Sequence, residues 1–193
     1  MIKPFSAVTE FHGHACVGLA LGYKAAGYAT EILDLTFSDD EEVVAITETD
    51  SCTVDAVQVV LGCTAGKGNL FVNKWGKNAF TFYRRDNNTS VRLVAIPDAF
   101  MPSPEMTELR PKIMNGSASD EEKKRFRRLS DEAVDAVLAM PFEKLFEKKE
   151  ARIEVPEKAR IFRTVTCSVC NEPVADGFAT EKDGKFVCIP CGI

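Results

Sequence analysis

Histidine is scarce in this chain: there are 2 in 193 residues, beside 1 tryptophan. Long apolar runs are missing too. No stretch reaches the roughly 18 apolar residues that a membrane-spanning helix requires, and the opening Met1-Ile2-Lys3-Pro4-Phe5-Ser6 lacks the apolar run of a signal peptide. A cytoplasmic protein is therefore expected. Nor is there an excess of positive charge. The chain carries 24 Lys and Arg against 29 Asp and Glu, a net charge of −5, which argues against a general nucleic-acid binder. The length allows one main core and a small appendage.

Cysteine, by contrast, is plentiful: there are 7. In a reducing compartment they are expected as metal ligands or reactive thiols rather than disulfides. Both histidines fall in Phe11-His12-Gly13-His14-Ala15-Cys16, so imidazole and thiol donors are concentrated at one place. Cys16 to Ala26 reads as a helix in which Gly18, Gly22 and Ala26 form a smooth stripe at i, i+4 spacing. Cys16 then stands at a helix N-terminus, where free N–H groups and the macrodipole favour a thiolate. Cys52 has the same setting, since Glu42–Glu48 reads as a central strand and Thr53–Gly62 as a second helix, capped by Asp50 or Ser51. The two cysteines are candidates to face each other across a cleft beside the histidines. Separate loop histidines and small buried cysteines are the plainer alternative.

Gly62-Cys63-Thr64-Ala65-Gly66-Lys67-Gly68-Asn69 superficially resembles a phosphate loop. A Walker A loop has four residues between its glycines and Ser or Thr after the lysine, and this segment has neither. A turn remains, with Lys67 able to hold an anionic group or simply joining helix to strand. Ala29–Leu35 reads as a short strand or turn tail; Leu70–Asn73, Ala79–Arg84 and Val91–Ile96 read as antiparallel strands, with Trp75 packed near a turn. Helices follow at Ser103-Pro104-Glu105 and at the capping box Ser119-Asp120-Glu121-Glu122. The basic run Lys123–Arg128 lies on the outer face of an amphipathic helix. Glu143–Glu157 reads as a charged linker or fraying helix. The expected class is α+β: an antiparallel sheet with packed helices in a core domain over 1–150, followed by a small zinc finger over 160–193.

That tail carries two CxxC pairs, Cys167-Ser168-Val169-Cys170 and Cys188-Ile189-Pro190-Cys191, with 17 residues between them. Four thiolates at this spacing close a tetrahedral zinc site with no open position, so a structural ion is expected. Turn signals at Asp176-Gly177 and Asp183-Gly184 place a β-hairpin between the pairs.

The sequence resembles the E-subunit family of formylmethanofuran dehydrogenase. The resemblance is carried by Phe11-His12-Gly13-His14-Ala15-Cys16-Val17-Gly18 with Gly22-Tyr23, by Cys52–Gln58 running into Gly62–Leu70, and by the two terminal CxxC pairs. It implies an α+β core with a metal or active site, an auxiliary treble-clef zinc finger and a homodimer. The site residues it implies are His14, Cys16, Cys52 and Cys63, with His12 beside them. The parent enzyme, known from methanogenesis, reduces carbon dioxide onto methanofuran with a molybdenum or tungsten pterin, and nothing in this chain is large enough to hold that cofactor. Only Gly192 and Ile193 follow Cys191, so the tail is expected as a truncated clef or a ribbon.

The leading expectation is a metal-binding accessory component of a larger redox enzyme in one-carbon metabolism. Some of His12, His14, Cys16, Cys52 and Cys63 would hold one transition metal with an open position, His14, Cys16 and Cys52 being the catalytic candidates. One alternative is a thiol enzyme with Cys16 or Cys52 as nucleophile and His14 as base. Another is an interaction scaffold docked through the zinc finger.

Overall fold

The first two helices are joined by a tight corner. In the computed structural model, which describes residues 2–99 and 101–193, helix α1 (Phe5–His12) ends at Gly13, whose φ of 92° continues the chain in the left-handed region open to glycine. Helix α2 (Val17–Leu33) starts four residues later and is the axis of the larger unit. It is longer than expected: Ala29–Leu33 complete the helix, and Asp34 ends it at a φ of 50°. Ala29 and Leu33 point into the core, so a short β-branched and apolar tail continues the helical face and forms no strand.

Strand β1 (Val43–Thr47) is buried along its whole length and lies inside a five-stranded sheet, one place in from the edge. Helix α3 (Thr53–Leu61) follows it and β2 (Leu70–Val72) returns parallel to β1, where the sequence suggested an antiparallel strand. The crossing helix explains the direction, because a strand reached through a helix re-enters the sheet the same way round. Strands β3 (Ala79–Arg84), β4 (Thr89–Ala95) and β5 (Phe146–Lys149) add on antiparallel. The charged stretch after Glu143 is thus a short helix α6 (Phe142–Leu145) and then an edge strand. Lysine and glutamate suit such an edge, which must not pair with other chains.

Val43, Ala45, Phe80, Phe82, Val91 and Leu93 turn one sheet face to the main core under α2 and α3. Val44, Ile46 and Tyr83 turn the other way, beneath Phe71, Ala151 and Ile153. The close approach of α2 to α3 depends on Gly22. A Cβ there would stand 2.3 Å from the Thr53 carbonyl oxygen and 2.6 Å from its Cα. Helix α4 (Pro104–Met114), capped by Ser103, and helix α5 (Asp120–Ala139), opened by its capping box, complete this unit. Trp75 is 56% exposed rather than packed.

The chain divides into two compact units, Met1–Lys158 and Ala159–Ile193. In the second, β6 (Thr164–Thr166) pairs with β7 (Pro173–Ala175), and β8 (Ala179–Lys182) pairs with β9 (Lys185–Cys188). A single helical turn α7 (Ile189–Gly192) begins directly after Cys188 and carries Cys191, where the sequence left no room for a helix. Two hairpins and a helical turn that carries Cys191 bring the two CxxC pairs together in a treble-clef-like arrangement. Among the described residues of this unit the buried side chains are Cys167 and Cys188, so it has no apolar core of its own.

Candidate metal centres

Three helix ends meet in the larger unit. His12 is the last residue of α1, Cys16 stands at the N-cap of α2 and Cys52 at the N-cap of α3. Their ligand atoms all lie within 4.8 Å of one another. The glycine stripe makes this possible: Gly22 lets the first turn of α3 press against α2, and a Cβ on Gly18 would meet Cys52 Cβ at 3.5 Å. The Leu19 N–H donates to Cys16 Sγ at 3.3 Å, so the free amide at the start of α2 is directed at the sulfur. Cys52 has no such side-chain cap bond, and neither Asp50 nor Ser51 takes the N-cap position.

His12 Nδ1 lies 2.7 Å from Asp55 Oδ2. A carboxylate only accepts, so the ring proton sits on Nδ1 and Nε2 is left with its lone pair. That Nε2 is buried and has no hydrogen-bond partner. A buried acceptor without a donor is costly in a folded protein, and a metal ion is the partner that fits a lone pair beside two thiols. Asp55 is itself held by Gln58, whose Nε2 donates to Oδ1 at 3.2 Å. The order Gln58, Asp55, His12 fixes the tautomer of the ring in the way a carboxylate does for imidazoles that bind metals.

Burial pushes the Cys52 thiol above its usual range, and the neighbouring Cys16 raises it further. Left without a metal, Cys52 is therefore not the activated nucleophile its place at a helix N-terminus suggests. A divalent ion would reverse this, since coordination deprotonates a thiol outright. One imidazole and two thiolates fit zinc and several other transition metals, and three protein ligands leave one position open. His14 is exposed, its ring centroid 4.6 Å from that of His12. It lies beside His12 and is not among the three grouped donors. An open cavity of about 490 Å³ reaches His12, Cys52, Asp55 and Lys74.

The structure does not bring Cys63 to this site. It lies beyond the far end of α3, about 15 Å of helix from Cys52, fully buried in the core, with its thiol donating to the Val43 carbonyl at 3.5 Å. Burial pushes it up to about 12, so it is a small apolar side chain there. The glycine-rich turn is also structural: Lys67 Nζ donates to the Ser38 carbonyl at 2.6 Å, and Asn69 Nδ2 donates to the Asp40 and Val43 carbonyls. Sequence reasoning missed Asp55 and Gln58. The available signal was Asp55 at i+3 from Cys52, on the same face of the first turn.

In the smaller unit Cys167, Cys170, Cys188 and Cys191 place four sulfurs within 4.8 Å of one another. Backbone N–H groups of Cys170, Cys188 and Val169 hold the Cys167 thiol down to about 6, so the knuckle is built to receive a thiolate.

The sequence matches the family described as FmdE, Molybdenum formylmethanofuran dehydrogenase operon, over residues 11–147. The chain belongs to the FmdE family. A relative named probable S-adenosyl-L-methionine-binding protein, from Archaeoglobus fulgidus, is 35% identical over 192 residues, covering 93% of this chain and 52% of the relative. The chain thus spans about half the length of that relative. The crystal structure of a tungsten formylmethanofuran dehydrogenase FmdE-like protein from Syntrophus aciditrophicus has the same fold. It is 23% identical with a TM-score of 0.62, over 97% of this chain and 89% of that one. The FmdE match takes in His12, Cys16, Cys52 and Asp55 but ends before the four tail cysteines. Among the described residues no helix is long and apolar enough to cross a membrane.

Proposed function

We propose that this FmdE-family protein is a two-metal accessory protein of a larger redox enzyme in one-carbon metabolism. The core centre of His12, Cys16 and Cys52 meets substrate, and the tail holds a structural zinc. The observation that carries the reading is the orphaned, buried His12 Nε2 beside two thiols, with its ring set by Asp55. The family description supports the link to formylmethanofuran dehydrogenase.

When bound, a transition metal in this donor set supplies Lewis acidity at its fourth position. The chain's own residues do the rest. Cys16 and Cys52 offset a divalent charge, and Asp55 retains the Nδ1 proton of His12 so that Nε2 faces inward. His14, exposed and beside His12, is placed to carry a proton between the site and solvent. The thiol-enzyme alternative needs an easily ionised Cys52, which burial opposes.

Elemental analysis of the full chain tests the reading. Two equivalents of metal are expected, falling to one in Cys52→Ser and to one in Cys170→Ser, each variant losing a different ion. One equivalent in the native chain, unchanged by Cys52→Ser, would sink the core centre.

A further inference from the structure

A second cavity, of about 660 Å³, lies against the core centre. Val17, Gly18 and Ser51 line it, and these are chain neighbours of Cys16 and Cys52. Ser51 also borders the open cavity over His12, so the two spaces share this one wall residue. They differ in chemistry. The one over His12 carries Asp50, Asp55 and Lys74. The larger one has an aliphatic floor, including Val17, Leu21, Val94 and Leu145, with Lys77 and Arg110 in its wall and Asp98 as the one acid there.

Neither cation is fully matched. Arg110 pairs with no carboxylate among the described residues. Lys77 Nζ stands 4.0 Å from Glu48 Oε2, a long and exposed approach, while Arg92 holds Oε1 of the same carboxylate at 2.7 Å and 2.8 Å. The volume is in the range of about 300–1,000 Å³ that small-molecule pockets occupy. An apolar floor with unspent positive charge in the wall selects for a ligand with an apolar body and one negative group.

We propose that this cavity binds a small organic acid, its aliphatic part on Val17, Leu21 and Leu145 and its carboxylate met by Lys77 and Arg110. The proposal rests on the reading of the His12–Cys16–Cys52 centre as a substrate-facing site, because Ser51, the chain neighbour of Cys52, borders both spaces.

Calorimetric titration of the full chain with hexanoate, hexanamide and acetate tests it. Hexanoate should bind about tenfold more tightly than hexanamide, which has the same body without the charge. It should also exceed acetate by about tenfold or more, because the longer body reaches the aliphatic floor. Lys77→Gln and Arg110→Gln should each weaken hexanoate about fivefold, with Lys123→Gln on the exposed face of α5 as the charge control. Hexanamide binding should stay the same in all three variants, which also reports that the cavity is intact. Equal binding of hexanoate and hexanamide, no binding of either, or an unchanged affinity in both cation variants would overturn the pocket. The same titration on Cys52→Ser separates the two readings. If hexanoate keeps its preference in that chain while native protein holds no core metal, the pocket stands and the metal centre falls.

Discussion

In the tail, four thiols come from two short loops, each pair three residues apart in sequence, and the bridge of Cys167 to Phe186 on β9 joins the loops. In the core, one imidazole and two thiols come from three helix ends, and Cys52 is 36 residues from Cys16. The tail spends all its donors on one closed site and buries nothing else of note. The core groups three donors on a framework that is already packed, and a four-coordinate ion there would keep one position open. With ions bound as proposed, the metal would make the structure in the first case, and in the second the structure would make the metal site. Removing the metal, disturbing the framework and weakening the outer shell should therefore act on the two centres very differently.

Metal removal is expected to have the largest effect. A chelator strong enough to strip both ions should unfold residues 159–193 completely, because a structural zinc contributes about 10–16 kcal/mol to such a unit and the buried side chains there are Cys167 and Cys188. Residues 1–158 should stay folded on their apolar core. Hydrogen exchange followed by mass spectrometry would show it: the tail amides lose protection and those of β1 and β3 keep theirs. Equal loss in both units would remove the contrast.

Next comes the framework. Gly22→Ala places a methyl group on the Thr53 backbone, which cannot step aside as a side chain end can. The expected cost is about 3 kcal/mol, the upper part of the overpacking range, with loss of core metal as Cys52 is pushed from Cys16. Gly18→Ala is the control on the same face. Its methyl group would meet Cys52 Cβ at an ordinary 3.5 Å, and alanine gains about 1 kcal/mol of helix propensity over glycine. Thermal unfolding with metal analysis should separate the two variants clearly, while the tail keeps its ion in both.

The legibility of the two centres follows the same division. The CxxC pairs, the capping box, the glycine stripe and the placing of Cys16 and Cys52 at helix starts are local patterns, and each appears in the structure where its residues predict it. What could not be read involved partners distant in the chain. The pairing of His12 with Asp55 spans 43 residues and depends on how α1 lies against α3. The parallel direction of β2 is decided by the helix that precedes it, and its three residues carry no mark of it. Phe146–Lys149 looks like a linker because an edge strand needs few apolar residues. Cys63 is a candidate by resemblance alone, and its setting in the core is that of a small apolar residue.

The smallest expected effect sharpens the comparison most. Asp55→Asn keeps the size of the side chain and removes the charge that holds the His12 proton on Nδ1. It leaves the apolar core and the three donor side chains themselves unaltered, so the unfolding temperature should barely move. Loss of an outer-shell carboxylate typically lowers metal affinity by about 10–100-fold, and competition with a zinc chelator should show that loss for the core ion alone. Within the tail, Glu172 is the acid beside a ligand, with Cys170 Sγ at 3.8 Å. Glu172→Gln should leave the tail ion in place, because backbone amides rather than a carboxylate set the Cys167 sulfur. A core affinity indifferent to Asp55→Asn would mean that His12 is held by packing, and that the hydrogen bond to Asp55 does nothing for the metal.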